Sequence, residues 1–445
     1  MAPQLETKRV IVCELRKLPM FMRQSNSRPS LLLILVMALS GAHVATSARG
    51  EDWPRWRGPH GDGTWRAPAL PDAWPADGLK TVWRQPIGGG YAGVSVTDGR
   101  VLVMDRQQQP AEVERVLAFD AATGKLLWTR EYPVAYGKLD YGNGPRAAPT
   151  IHDGHVYTLG AVGHVLCLDL ATGRQIWAHD CVAEMHAKIP DWGLAASPVV
   201  WRDLVICHVG VPGGSLVAFD RQSGKEMWRA SSDPAGYATP IIVQRPYGPQ
   251  LVAWTPENVL GIALDTGKVD WQIPYKVTYG VSIATPIARG DLVFVTGYWE
   301  GSKTIRLGQG PADAELLWED AKQLRGLMSQ PLERDGYVYS LDKQLGVTCF
   351  ELASGKKLWD DGNRLTPRGR NPQVTMVWLG DSDRTISLNS EGELVLARFT
   401  PDGYQEQSRT KIIGPTWAHP AYAGRHVFAR DDAELVCVEL VPPEK

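Results

Sequence analysis

Apolar and polar residues alternate along this chain in short runs rather than at helical spacing. Segments such as "HVYTL" (His155 to Leu159) and "YVYSL" (Tyr337 to Leu341) keep a period of two, the pattern of strands with one buried face. Asp98-Gly99, Asp153-Gly154 and Asp335-Gly336 stand just ahead of such runs and predict the turns of hairpins. Each unit opens on a small or polar residue and a proline, at Ala147-Ala148-Pro149, Ala196-Ser197-Pro198, Ala238-Thr239-Pro240, Ala284-Thr285-Pro286 and Ser329-Gln330-Pro331. A strand can begin there because the missing proline N–H costs no ladder bond. A third run ends on an apolar residue and an acid. A Thr-Gly or Ser-Gly turn, with glycine free to take positive φ, then reverses the chain into a fourth run that carries tryptophan.

This last phrase repeats. It stands as "AFDAATGKLLW" ending at Trp128, "CLDLATGRQIW" at Trp177, "AFDRQSGKEMW" at Trp228, "ALDTGKVDW" at Trp271 and "CFELASGKKLW" at Trp359, with a degenerate "GPADAELLW" at Trp318. The successive tryptophans are 49, 51, 43, 47 and 41 residues apart. A period of that length, with four strands in it, predicts propeller blades. Eight blades are expected. Blade 1 runs from about Tyr91 to Trp128, and blade 7, about Gln373 to Gln407, replaces the turn with "TPDG" and lacks the tryptophan. The stretch from Trp417 to Leu440 holds only three strands, and "GLKTVWRQP" with Trp83 reads as the missing fourth. Pairing the two closes the ring and leaves no open edge between the chain's ends. The expected fold is an all-β, eight-bladed propeller of four-stranded antiparallel blades.

Composition adds turns and a leader. The chain holds 45 Gly, 32 Pro and 17 Trp among 445 residues. Leu31 to Leu39 is the one strongly apolar stretch, too short for a comfortable membrane span. Lys8, Arg9, Arg16, Lys17, Arg23 and Arg28 precede it, and Ala45, Ser47, Ala48 and Gly50 follow, the order of a secretory signal. Cleavage is expected near Ala48 to Gly50, with an uncleaved anchor as the alternative, and Met22 is an alternative start to Met1. His43 stands where a lipoprotein would need cysteine. The organisation expected is a signal peptide and leader over 1–50, an N-terminal extension over 51–78 and the propeller over 79–441. The localisation that follows is periplasmic, or otherwise in the cell envelope or outside the cell.

Residues 1–48 carry six basic and two acidic groups, so the remainder holds 41 basic and 47 acidic groups, about −6. That balance argues against a nucleic-acid partner, which needs a positive field. Five cysteines remain beyond the leader: Cys167, Cys181, Cys207, Cys349 and Cys437. Their spacings match no zinc or haem pattern, and Cys181 with Cys207 is the one pair worth testing as a disulfide. Three of them occupy the same third-strand slot on different blades and read as small core residues. "GGGYAG" (Gly88 to Gly93) has dinucleotide-site spacing but leads into a strand, so it reads as the turn into blade 1. His152, His155 and His164 read as solvated turn residues rather than a metal site.

The repeat resembles the pyrroloquinoline-quinone-type (PQQ-like) repeat family over residues 79–440. That resemblance implies eight blades, with the repeated tryptophans docking between neighbours: Trp83, Trp128, Trp177, Trp228, Trp271, Trp318 and Trp359. "DWPRWRGPHGDGTW" (Asp52 to Trp65) resembles an N-terminal signature of exported bacterial proteins in the group. The family spans quinone-dependent dehydrogenases and a non-catalytic lipoprotein of the outer-membrane barrel assembly machine, so fold does not choose function. A dehydrogenase of this family is expected to hold calcium and quinone with Glu, Asn and Asp from separate top-face loops, to use an Asp base, and often to show adjacent cysteines. The chain has no Cys-Cys pair, and at about 45 residues per blade it leaves little room for insertions carrying such ligands.

The loops between the fourth strand of one blade and the first of the next converge on the channel mouth and are rich in aromatic, basic and amide groups. The candidate ligand residues are Arg146, Trp192, Tyr237, Tyr279, Arg325, Arg370, Asn371, Trp417 and His419. The function expected is a non-catalytic binding or scaffold propeller without a cofactor, taking a protein, peptide or glycan. The chain is expected to be a monomer with no stable membrane insertion once the leader is removed. The alternatives are a small PQQ- and calcium-dependent dehydrogenase and a polysaccharide-binding propeller.

Overall fold

A computed structural model describes residues 50–326 and 328–441; the expected leader, Gly50 apart, lies outside them. The strands group into eight antiparallel blades around one channel. The innermost strands are Ser95–Thr97, Thr150–His152, Val199–Trp201, Ile241–Val243, Ile287–Arg289, Leu332–Arg334, Val374–Leu379 and Ala421–Ala423, for blades 1 to 8 in order. The ring closes as the sequence predicts. Lys80–Pro86 pairs antiparallel with Glu434–Glu439, with Trp83 opposite Cys437. Among the described residues, no helix is long and apolar enough to cross a membrane.

The repeated phrase is a blade-docking device. Asp120, Asp169 and Asp220 each accept the amide and hydroxyl of the Thr or Ser three residues on, at 2.6–2.9 Å. These hydrogen bonds hold their carboxyls below the usual range. The turn glycine takes positive φ, 71° at Gly173 and 74° at Gly224. It also lies against the previous blade's tryptophan: a Cβ on Gly173 would sit 2.6 Å from the Trp128 ring. Glycine is thus needed twice, for its backbone and for the space. The indole N–H groups of Trp83, Trp128, Trp177, Trp228, Trp318 and Trp359 donate to carbonyls of the next blade's turn, at 2.8–3.1 Å. Trp271 departs from the rule and donates to Gln250 Oε1 at 2.9 Å within its own blade. Blade 5, its neighbour, carries the degenerate turn.

The polar residue before each blade's opening proline explains itself in the same way. Ala148 donates to Ser197 Oγ at 3.0 Å, Ser197 to Thr239 Oγ1 at 2.9 Å, and Thr285 to Gln330 Oε1 at 2.6 Å. These bonds run from blade to blade around the channel wall, where burial makes an unmet amide costly. The closure seam has its own clamp in Arg430, fully buried, which donates to the carbonyls of Met104 at 2.6 Å and Gly88 at 2.7 Å. The "GGGYAG" loop is therefore part of that seam. Replacing Trp228, which is 7% exposed, with alanine is expected to cost about 3–5 kcal/mol in chemical denaturation. Ligand binding should not change.

Four strands per blade fails in one place. Thr64–Trp65 adds a fifth strand to blade 7, parallel to its innermost strand, with Thr64 opposite Trp378 and Trp65 opposite Leu379. The extension that carries it is thereby drawn into the channel. Trp53 exchanges backbone bonds with Val96 of blade 1, Pro54 accepts from Ile151 of blade 2, and Gly63 accepts from Trp378 of blade 7. Arg57, buried, donates to the Pro331 carbonyl of blade 6 at 2.9 Å. Trp53 and Trp65 pack on Tyr422 of blade 8, with centroids 5.3 and 4.9 Å apart. Trp56 donates to Thr285 of blade 5 at 2.8 Å. The segment thus touches six blades and divides the channel into an upper and a lower space.

Candidate functional site

The upper space is a cavity of about 660 Å³ at the channel mouth. Every loop that enters an innermost strand contributes to its wall. Tyr91 comes from the loop into blade 1, Asp140, Tyr141 and Arg146 from that into blade 2, and Asp191 and Trp192 from that into blade 3. Tyr237, Tyr279, Gln330, the Arg370-Asn371 pair with Gln373, and the Trp417 and His419 pair follow for blades 4 to 8. Eight of the nine candidate residues therefore share one cavity. Arg325 is the exception and corrects the expectation. Its backbone amide donates to Asp342 Oδ2 at 3.0 Å and its guanidinium to Gln344 at 3.2 Å, which ties it to a hairpin of blade 6 rather than the mouth.

Five lining aromatics lie beyond the candidate set: Tyr91 and Tyr141 sit in blade-to-blade loops, and three come from elsewhere. Tyr298 and Trp299 come from a hairpin inside blade 5, Gly297 to Gly301, and not from a blade-to-blade loop. Trp56 comes from the N-terminal segment and lies against His419, with ring centroids 4.2 Å apart. The run "YWEG" between two strands could have flagged the first two; nothing in the sequence places the third.

The aromatics form three groups around the rim. Tyr91 stacks on Trp417 at 5.7 Å, with Tyr141 on its other neighbouring side at 5.7 Å. Trp192 meets Tyr237 at 5.7 Å, and Trp299 meets Tyr279 at 5.5 Å and Tyr298 at 4.5 Å. Tyr141 and Tyr279 hold left-handed backbone, at φ 50° and 57°. Bulky residues seldom sit there, and such strain persists where surrounding structure enforces it. Both present their rings outward, Tyr279 at 72% exposure.

Polar groups sit between these rings. Arg146 donates to the carbonyls of Asp140 at 2.9 Å, Tyr141 at 2.7 Å and Gly144, so it organises its own loop. Burial lowers its pKa, partly offset by the phenols of Tyr136 and Tyr91. The Asp140 amide bonds the Asp191 carbonyl at 3.0 Å, which joins the loops into blades 2 and 3. Asn371 donates to the Tyr141 hydroxyl at 3.2 Å. Burial raises the pKa of Tyr237. The set offers carboxylates, an amide and a guanidinium beside exposed ring faces, chemistry suited to a ligand with apolar faces and a hydroxylated rim.

Asp140 and Asp191 are the acids of the wall, and among the described residues no three His, Cys, Asp or Glu side chains converge on a metal position. All five described cysteines are free and buried in the blades; Cys181 and Cys207 share a core cluster without a bond. Burial pushes the Cys181 thiol up to about 12. His152, His155 and His164 likewise form no metal cluster, and His155 bonds the Asp153 carbonyl at 2.7 Å in its turn.

Two histidines near the channel are held neutral by burial. His419 is pushed down to about 3 and His208 to about 4. His208 also bonds Ser215 Oγ at 2.9 Å and the Gly236 amide at 3.0 Å. The unfolded chain binds these protons near pH 6.5 and the folded one does not until about pH 4 or below. Stability is therefore expected to be full above about pH 6.5 and to fall as pH drops toward 4. Melting temperature against pH checks this, and His208→Gln should flatten the slope.

Comparison with known proteins places this geometry among relatives. The family profile described as outer membrane protein assembly factor BamB matches residues 112–361. A quinohemoprotein alcohol dehydrogenase, ADH IIB of Pseudomonas putida, is 28% identical over 46% of this chain and 29% of its own length. The outer membrane protein assembly factor BamB of Burkholderia pseudomallei is 25% identical over 76% of this chain and 84% of its own. The crystal structure of the quinohemoprotein alcohol dehydrogenase of Comamonas testosteroni superposes with a TM-score of 0.61 at 15% identity, covering 90% of this chain and 83% of that one, a likeness of fold. The aligned stretches span under a third of the first curated relatives' length.

Proposed function

From the premise that this chain belongs to the family described as outer membrane protein assembly factor BamB, we propose that it is an exported propeller that binds rather than catalyses, and that it holds its ligand in the mouth cavity. The observation that carries this reading is the convergence of all eight loops, with nine aromatic residues, on one cavity. A BamB-like and quinoprotein-like propeller is the coarse description, and protein partners are in keeping with the BamB relatives. The finer one concerns the ligand. Exposed rings beside Asp140, Asp191, Asn371 and Arg370 suit a saccharide, whose C–H faces stack on aromatics while its hydroxyls meet carboxylate, amide and guanidinium groups. Leader, export and periplasmic placement belong to this proposal, on the strength of residues 8–50 and of the relatives. Affinity electrophoresis in gels containing bacterial and plant polysaccharides tests it. Retardation by a subset of glycans supports the reading, and uniform migration in all of them overturns the saccharide assignment.

The second reading is a quinone-dependent dehydrogenase of reduced size. It is favoured by the 28% identity to the alcohol dehydrogenase ADH IIB. Dye reduction with PQQ, calcium and alcohols would establish it.

A further inference from the structure

The lower space of the channel is a chamber of about 560 Å³ between the N-terminal segment and blades 3 to 5. Its walls show one backbone register in two conditions. On blades 1, 2 and 7 the amides of Val96, Ile151 and Trp378 point into the channel and donate to the carbonyls of Trp53, Pro54 and Gly63 at 2.8 Å. Those three residues are buried, at 1%, 6% and 1% exposure. Val200, Ile242 and Ala288 occupy the register of Ile151 on blades 3, 4 and 5, each paired at the middle of its innermost strand. Among the described residues, the N-terminal segment gives these three amides no partner. Val200 and Ile242 are half-buried and Ala288 is exposed, and all three line the chamber.

We propose that this chamber is a main-chain binding site for an extended peptide laid across the inner strands of three blades, whose carbonyls meet the amides of Val200, Ile242 and Ala288. The chain itself demonstrates the mode. Trp53 and Pro54 are consecutive and serve neighbouring blades 1 and 2, so an extended backbone laid around the ring offers about one carbonyl per blade. Thr64–Trp65 extends the same use of inner edges to a paired strand on blade 7. Main-chain bonds supply affinity in such sites and side-chain pockets supply selectivity. Here the chamber sets an apolar wall of Val200, Trp201, Pro240 and Ile242 against polar groups of Arg55, His60, Asp62, Gln244 and Glu333, so the peptide side chains it suits are apolar on one side and polar on the other. The site is separate from the mouth, since Trp56 and its neighbours lie between the two spaces, and it stands whether or not the mouth takes a saccharide.

The test uses a fluorescein-labelled, end-blocked hexapeptide with the sequence of residues 52–57, followed by anisotropy and by hydrogen exchange of the purified protein. Saturable binding in the micromolar range is expected, with slowed exchange confined to the innermost strands of blades 3 to 5. Ala288→Pro removes one channel-facing donor without touching the ladder to the next strand. It is expected to weaken binding roughly tenfold, as loss of about 1.4 kcal/mol would. Ala288→Trp, which puts a bulky ring on the exposed chamber wall, should abolish binding and keep a wild-type melting curve. The assignment is overturned by no saturable binding at millimolar peptide, by protection at the mouth loops instead, or by affinity unchanged in both variants.

Discussion

Trp65→Ala is expected to lower the stability of the propeller by about 3–5 kcal/mol, although the residue lies outside the repeats. Its side chain is fully buried, stacks on Tyr422 at 4.9 Å and donates to the Glu51 carbonyl at 2.9 Å. Alanine would leave a cavity where blades 7 and 8 meet the segment, and the parallel pairing of Thr64–Trp65 with blade 7 would lose its anchor. Urea denaturation followed by fluorescence measures the effect. Trp53→Ala should cost less when added to Trp65→Ala than when made alone, because both rings rest on Tyr422 and their losses are not independent. A cost within 0.5 kcal/mol, the size of ordinary surface changes, would show that the segment merely lies in the channel.

Trp417→Ala should behave in the opposite way. Trp417 packs against Tyr91 and Tyr141 at the cavity rim and is not part of a blade core. Its removal is expected to weaken ligand binding by about 2 kcal/mol, roughly thirtyfold, which is the usual loss at a central aromatic contact. The denaturation midpoint should stay near that of the parent. Tyr279→Ala, at an exposed rim position with left-handed backbone, should give a smaller loss. The pair separates groups that hold the fold from groups that hold the ligand.

The blades were legible because their chemistry is local. An acid, a hydroxyl three residues on, a glycine and a tryptophan make one turn and one docking contact, so the phrase from Ala118 to Trp128 carries its own geometry. Closure was legible because Trp83 stood alone with three strands waiting at the other end. The N-terminal segment was not legible. Its partners Val96, Thr285, Trp378 and Tyr422 lie tens to hundreds of residues away, and no local pattern distinguishes a strand laid in a channel from a surface arm. The same reason hid Trp56 from the candidate site. Tyr298 and Trp299 stand outside the candidates on a different ground: the repeat pattern points to blade-to-blade loops at the mouth, while the hairpin of blade 5 reaches it too. Arg325 failed because a loop's position does not fix the direction of a long side chain, and Asp342 and Gln344 hold it aside.

The separation of binding from catalysis rests on one titration. The purified protein is mixed with pyrroloquinoline quinone and calcium while quenching of its tryptophans and dye-linked alcohol oxidation are followed together. The binding reading predicts no saturable quenching in the micromolar range and no dye reduction above the protein-free rate. Micromolar saturation accompanied by turnover would contradict it and make the mouth cavity an active site.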